Sequence, residues 1–220
     1  MSTAPTKLDA LRHLLAERFP SVSRSLGTGQ AARVLGTGIS SVDDAVVGLP
    51  LSAITELVCG APSCGSHLFL GQLLAATRAG HSRVALVDAT DSFDPGSFEE
   101  DLLAHLVWVR CRTTAEAMHS VDLLARDANF GLVVLDLRRI PEADLRRISA
   151  PQWYRLQRAV ESTDLALVVE TPRSTVPSAQ LRLVLDRSLP PAALEQERAA
   201  LEPQLAVRIQ RQRLIAGLAG

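Results

Sequence analysis

The chain has 220 residues, of which 47% are apolar, 21% charged and 4% aromatic, which suits one sizeable core with an appendage. Twenty-three basic and twenty-four acidic residues leave a net charge of −1, and this excludes both a uniformly basic nucleic-acid coat and an acidic disordered chain. The charge is uneven all the same: residues 1–137 carry 10 basic and 15 acidic groups, and residues 138–220 carry 13 and 9.

In chain order, Leu8, Leu11, Leu14 and Leu15 fall at helical spacing, and Thr6 with Asp9 makes a capping-box-like start. The spacing predicts a short amphipathic helix ending near Phe19-Pro20, whose apolar stripe docks either on its own core or on another molecule. Residues 1–35 are therefore expected to form a helical arm and linker. From residue 54 onward, short apolar runs rich in β-branched residues predict strands over 54–59, 84–88, 106–111, 132–137 and 165–170. Helical patterns between them cover 66–79, 95–105, 114–128 and 151–162. This alternation predicts an α/β core over residues 36–190, a mainly parallel sheet flanked by helices. Residues 191–220 are expected to add a helix and a basic strand that completes the sheet or binds a partner. No apolar stretch reaches the roughly eighteen residues that span a bilayer, and the first residues lack the apolar block of a secretory signal. A cytoplasmic location and no membrane contact are the expectation. Three cysteines, Cys59, Cys64 and Cys111, are too few for a disulfide framework and agree with a reducing compartment.

The first core strand runs into Gly60-Ala61-Pro62-Ser63-Cys64-Gly65-Ser66-His67 and then into a helical run. Strand, G-x-x-x-x-G and helix in that order make the frame of a phosphate-binding loop, in which glycines aim backbone N–H groups at phosphate oxygens. The two positions after the second glycine ordinarily hold a lysine for the outer phosphates and a hydroxyl for magnesium. Here they are Ser66 and His67. The chain has one lysine, Lys7, which belongs to the arm. The loop keeps its spacing without its charge, so nucleotide hydrolysis is not expected, and neither ATP nor magnesium is expected as a cofactor.

The approach to this loop, Leu-Gly-Thr-Gly-Ile-Ser-Ser-Val-Asp-Asp-Ala-Val-Val-Gly-Leu-Pro over 35–50 followed by Ile54-Thr55-Glu56-Leu57, resembles that of RecA-type recombinases. So does Val87-Asp88-Ala89-Thr90-Asp91-Ser92-Phe93-Asp94-Pro95, which resembles the end of the strand that presents their catalytic glutamate. The matching position is Thr90, which has no carboxylate. Leu132-Val133-Val134-Leu135-Asp136 is an apolar strand ending in an acid, as the family's magnesium-coordinating strand does. The resemblance implies a RecA-like P-loop NTPase fold with an N-terminal helical arm. A RecA-like chain of this size without the nucleotide residues is similar to the ImuA family of bacterial mutagenesis cassettes. Looser matches lie in Arg155-Leu156-Gln157-Arg158-Ala159-Val160-Glu161 and in Val207-Arg208-Ile209-Gln210-Arg211-Gln212-Arg213. That resemblance implies an adaptor in SOS-induced, error-prone translesion synthesis, working with RecA, ImuB and an error-prone DNA polymerase. Leu8, Leu11, Leu14 and Leu15 become its expected partner contacts. The rival reading is a divergent DNA-dependent ATPase in which Asp91 or Asp94 replaces the glutamate.

Two further groups carry chemistry. Arg138, Arg139, Arg146, Arg147, Trp153 and Tyr154 bring charge and aromatic rings to the carboxyl side of the sheet, a candidate contact for single-stranded DNA. The alternative is a solvated basic face with Trp153 in the core. Cys59, Cys64 and His67 have metal-ligand chemistry, but C-x4-C-x2-H is unusual spacing for zinc, and ordinary buried thiols are expected instead.

Overall fold

A parallel strand buried on both faces reads as a near-continuous apolar run, and residues 84–87, 132–135 and 166–169 are such runs, buried throughout. The computed structural model describes residues 33–213. It begins with a two-stranded antiparallel ribbon, β1 (Val34–Leu35) and β2 (Leu49–Pro50), around α1 (Ser40–Val46). The core then runs β3 (Ala53–Cys59), α2 (Ser66–Ala79), β4 (Val84–Asp88), α3 (Glu100–Leu103), β5 (Leu106–Arg110), α4 (Thr114–Leu124), β6 (Leu132–Asp136), α5 (Glu142–Arg147), α6 (Ala150–Glu161), β7 (Ala166–Thr171) and β8 (Leu181–Leu185). After one-turn α7 (Arg198–Leu201), β9 (Val207–Gln212) returns antiparallel along β8.

The sheet has seven strands in the order β5-β4-β6-β7-β3-β8-β9, parallel except for β9. Strand alternation divides the core into two layers. Leu57, Leu86, Val134, Val168 and Leu183 pack with Phe69, Leu70, Leu73 and Leu74 of α2. Ile54, Val87, Leu135 and Val169 pack on the opposite face with Val121 of α4 and Trp153, Leu156 and Val160 of α6. The connections out of β3 and β4 therefore cross one face, and those out of β5 and β6 cross the other. This is an α/β architecture compatible with a P-loop or Rossmann type of fold. In such sheets ligands bind beyond the carboxyl ends of the strands, where connections diverge to opposite faces, as they do here beside β3.

Two expected helices are interrupted. The helix predicted over 95–105 is a 3-10 turn, Pro95–Ser97, followed only by α3, because the Asp94 carboxylate accepts from Gly96 N at 3.0 Å and from Ser97 Oγ at 2.7 Å. The C-terminal helix predicted over 192–201 is a 3-10 turn, Pro191–Glu195, and α7, separated by extended backbone at Gln196. The arm residues Leu8, Leu11, Leu14 and Leu15 lie outside the described residues. Among the described residues no helix is long and apolar enough to cross a membrane.

Candidate functional site

β3 delivers the chain into the loop at residues 60–67, and α2 starts at Ser66. Ser63 and Gly65 both take left-handed backbone, with φ of 50° and 88°. Glycine is required at the second of these twice over. A side chain there would be strained, and its Cβ would collide with Leu205, which lies over the loop. The main chain at Leu189 joins the same cover, its N–H donating to Ser63 O at 2.9 Å. Arg198 adds a hydrogen bond to the carbonyl of His67. The connection from β8 to β9 thus packs directly on the loop.

Register brings the acids to the loop. Asp88, Asp136 and Glu170 are cross-strand partners in one row across β4, β6 and β7, and all three are buried. Asp88 is satisfied locally, accepting from Phe93 N at 2.8 Å and Thr90 N at 3.2 Å. Asp136 and Glu170 share a single cation, Arg138. Its Nε lies 2.9 Å from Asp136 Oδ1 and 2.8 Å from Glu170 Oε2, and its Nη2 lies 2.5 Å from Asp136 Oδ2. The remaining arm of the guanidinium, Nη1, donates to Ser66 Oγ, and Nη2 is 3.5 Å from His67 Nε2. One arginine therefore spans the two carboxylates and both residues that stand where a phosphate loop carries its lysine and magnesium hydroxyl. Its side chain is 16% exposed.

The electrostatics follow from two acids meeting one base in a buried place. Burial alone would discourage the charge on Arg138, but Glu170 and Asp136 outweigh it and hold the guanidinium protonated. Burial pushes the Glu170 carboxyl up to about 8; Arg138 opposes this and the charges of Asp136 and Cys64 add to it. Burial, then the Arg138 charge, lowers His67 and favours a neutral ring that accepts from the guanidinium. Cys59, whose Sγ donates to Leu57 O at 3.9 Å, and Cys64 both belong to the α2-side core layer. Among the described residues no cluster of three or more His, Cys, Asp or Glu is arranged to hold a metal ion.

The other expected site residues are dispersed. Thr90 donates from its hydroxyl to Ser92 Oγ at 3.2 Å. Asp91 is engaged by Arg110 at 2.5 Å, and Asp94 caps its own turn. The charge of Asp94 reaches His67 of the loop, where it opposes the lowering of the imidazole pKa. Of the candidate DNA contacts, Arg138 is drawn inward by the two acids and Trp153 is only 1% exposed, packed against the sheet with Leu156 and Val160. This burial removes both from the expected exposed face. Arg146 pairs with Glu142 and Arg147 with Asp144 on α5, while Tyr154 remains exposed. Arg139 is exposed, three residues before α5.

A cavity of about 790 Å³ lies elsewhere, over the ends of β4 and β5, lined by Thr90, Cys111, Thr113, Met118, Ile140 and Arg147 among others. None of residues 60–67 lines it. Glu170 carries as much of the site as Asp136 and was not singled out from the sequence. The available signal was its place at the end of an apolar strand, which it shares with Asp88 and Asp136.

The fold and the site together define an α/β protein in which the chain's own arginine hydrogen-bonds the side chain at the end of a phosphate-loop-like turn. No protein-family model matches the sequence, and no curated protein matches it.

Proposed function

We propose that the protein is a non-catalytic adaptor with a RecA-like core, serving SOS-induced error-prone translesion synthesis through contacts with RecA and ImuB. The observation that carries the non-catalytic half is the position of Arg138. A guanidinium bonded to Ser66, Asp136 and Glu170 takes up the hydroxyl and the carboxylates that a nucleotide's metal ion would need. Ser66, His67 and Thr90 supply neither the lysine charge, the magnesium hydroxyl nor the carboxylate that such chemistry uses. The cover formed by Leu189 and Leu205 supports the same reading, since it packs on the loop from the side of the β8–β9 connection.

The adaptor half rests on the resemblance to RecA-type and ImuA sequences. A RecA-like surface kept for protein contacts, with its nucleotide engine replaced by an internal ion pair, is a module that joins a filament without being gated by ATP. Leu8, Leu11, Leu14 and Leu15 of the arm would make that contact, and the error-prone DNA polymerase would be reached through ImuB. Single-stranded DNA contact would be weak or indirect, through Arg139, Arg146, Arg147 and Tyr154.

The test is co-purification of RecA and ImuB with the full chain, beside the double variant Leu11→Asp, Leu15→Asp. Capture of RecA by the natural chain and its loss in the double variant is the expected result. Capture that survives the double change removes the arm from the contact, and absence of both partners removes the adaptor reading.

A further inference from the structure

The cavity of about 790 Å³ is left unused by the adaptor reading, and its origin is topological. β5, β4 and β6 are neighbours in the sheet. The connection out of β4 crosses the α2 face, whereas those out of β5 and β6 cross the opposite face, so the chain parts above the ends of these strands. Crevices of that kind are where open α/β sheets hold ligands. The strand ends are tied together there. Cys111 N donates to Asp88 O at 2.9 Å and Ala89 N to Asp136 O at 3.3 Å.

The interior is apolar and firmly held. Ala89 and Cys111, small and buried, line the cavity at the strand ends, and Met118 of α4 with Ile140 and Ile148 on either side of α5 supply larger buried side chains. Glu142 of α5 is paired with Arg173 at 2.5 Å, and the start of α6 is fixed by Ser149 N donating to Gln152 Oε1 at 2.8 Å. The volume falls within the roughly 300–1,000 Å³ of small-molecule sites.

Four charged side chains line the same cavity: Asp91, Arg112, Asp144 and Arg147. Asp91 is paired with Arg110 at 2.5 Å, and Asp144 with Arg147 at 2.7 Å. Arg112 is exposed, its backbone N–H donates to Glu116 Oε2 at 2.8 Å, and its guanidinium has no partner among the described residues. Thr113 and Thr114, next in sequence, add hydroxyl donors to the lining. One uncommitted cation beside an apolar interior suits a ligand with a single negative charge on an apolar body. The two wall acids disfavour a dianion such as a phosphate monoester. A carboxylate also matches the guanidinium fork with two parallel hydrogen bonds.

We propose that this cavity binds an amphipathic carboxylate, its apolar body against Ala89, Met118, Ile140 and Ile148 and its carboxylate on Arg112. The site is separate from the loop at residues 60–67, and the inference stands whether or not the protein is an adaptor.

Decanoate and phenylacetate serve as the aliphatic and aromatic probes, each titrated calorimetrically into the full-length protein. The expected result is saturable one-to-one binding of at least one of them with a Kd below about 1 mM, matched by neither decylamine nor inorganic phosphate. Arg112→Gln should weaken that binding by about tenfold or more. Ala115→Phe, which adds a ring to the lining from the exposed first turn of α4, should abolish it. Arg126→Ala, outside the lining, should leave it unchanged. Both tested positions are exposed, and circular dichroism checks that the variants remain folded. The proposal is overturned if neither carboxylate binds saturably at millimolar concentration, or if decylamine or phosphate binds as well. Affinity unchanged in folded Arg112→Gln and Ala115→Phe proteins would also overturn it, by placing the binding elsewhere.

Discussion

Arg138, two residues beyond the end of β6, hydrogen-bonds Ser66, the residue that follows the second glycine of the loop after β3. Seventy-two positions separate the two in the chain. The guanidinium lies beside the loop with its charge engaged by Asp136 and its Nε within bonding distance of Glu170. Removing a partner from a buried ion pair leaves the other charge without compensation and costs about 3–5 kcal/mol. Arg138→Ala should therefore lower stability by about that much in urea titration. Adding Glu170→Gln should change that loss little near neutral pH, where Glu170 already holds its proton. A loss well under ~1 kcal/mol would mean that the pair is no more than a surface contact.

Glu170 gives stability a pH dependence whose sign follows from its raised pKa. Folded, the group holds its proton up to about 8, against 4.5 for an ordinary glutamate. Between these values the native state binds more protons than the unfolded one, so stability contributed by Glu170 falls as pH rises from about 5 to about 8. Cys64, lowered from 9.0 to about 6, contributes in the opposite direction between those values. The Glu170 part is isolated by subtraction: wild-type and Glu170→Gln proteins, unfolded in urea at several pH values, should converge at low pH and diverge as pH rises, the variant losing less. Parallel curves would contradict the assignment.

Glu56 anchors the segment after β7. Its side chain is fully buried and accepts from Thr171 Oγ1 at 3.0 Å, Val176 N at 3.1 Å, Thr175 N at 2.5 Å and Arg182 Nε at 2.6 Å. Glu56→Ala should destabilise the fold by about 3–5 kcal/mol, since it strands Arg182 and two backbone donors. Glu56→Gln, which keeps an acceptor, should cost less. Hydrogen exchange at the Thr175 and Val176 amides should accelerate in both variants more than exchange in β4. Equal acceleration everywhere would indicate only global loss of stability.

Gly65 tests the cover on the loop. An alanine there meets both the left-handed backbone and the Leu205 side chain, so Gly65→Ala should cost about 1–3 kcal/mol in thermal unfolding. Leu205→Ala combined with it should cost less than the sum of the two single changes, because the clash disappears and only the backbone strain remains. Strict additivity would show that Leu205 does not lie over the loop.

The sheet was legible because its strands are apolar runs with acids or polar residues at their carboxyl ends, and α2 occupies the predicted residues 66–79. Interruptions were less so. Asp94 competes for backbone donors with a local cap, and Gln196 is extended between two short turns, effects that summed helical patterning does not see. α5 lies in a segment rich in both charges, where Glu142 with Arg146 and Asp144 with Arg147 stabilise a turn that has little apolar periodicity. The central pairing was the least legible. Arg138 read as one arginine of a basic cluster, and Glu170 as the end of a strand. Only the parallel register that sets Asp136 beside Glu170, with β3 on the far side of β7, turns those two local features into one ion-pair network.

The most direct measurement of the non-catalytic reading is calorimetric titration of ATP with magnesium into the reduced full-length protein, paired with phosphate release in the presence and absence of single-stranded DNA. The expected result is neither saturable binding at millimolar nucleotide nor turnover. Saturable binding with DNA-stimulated hydrolysis, abolished by Asp136→Asn in a protein that remains folded, would contradict it and make the chain a divergent motor.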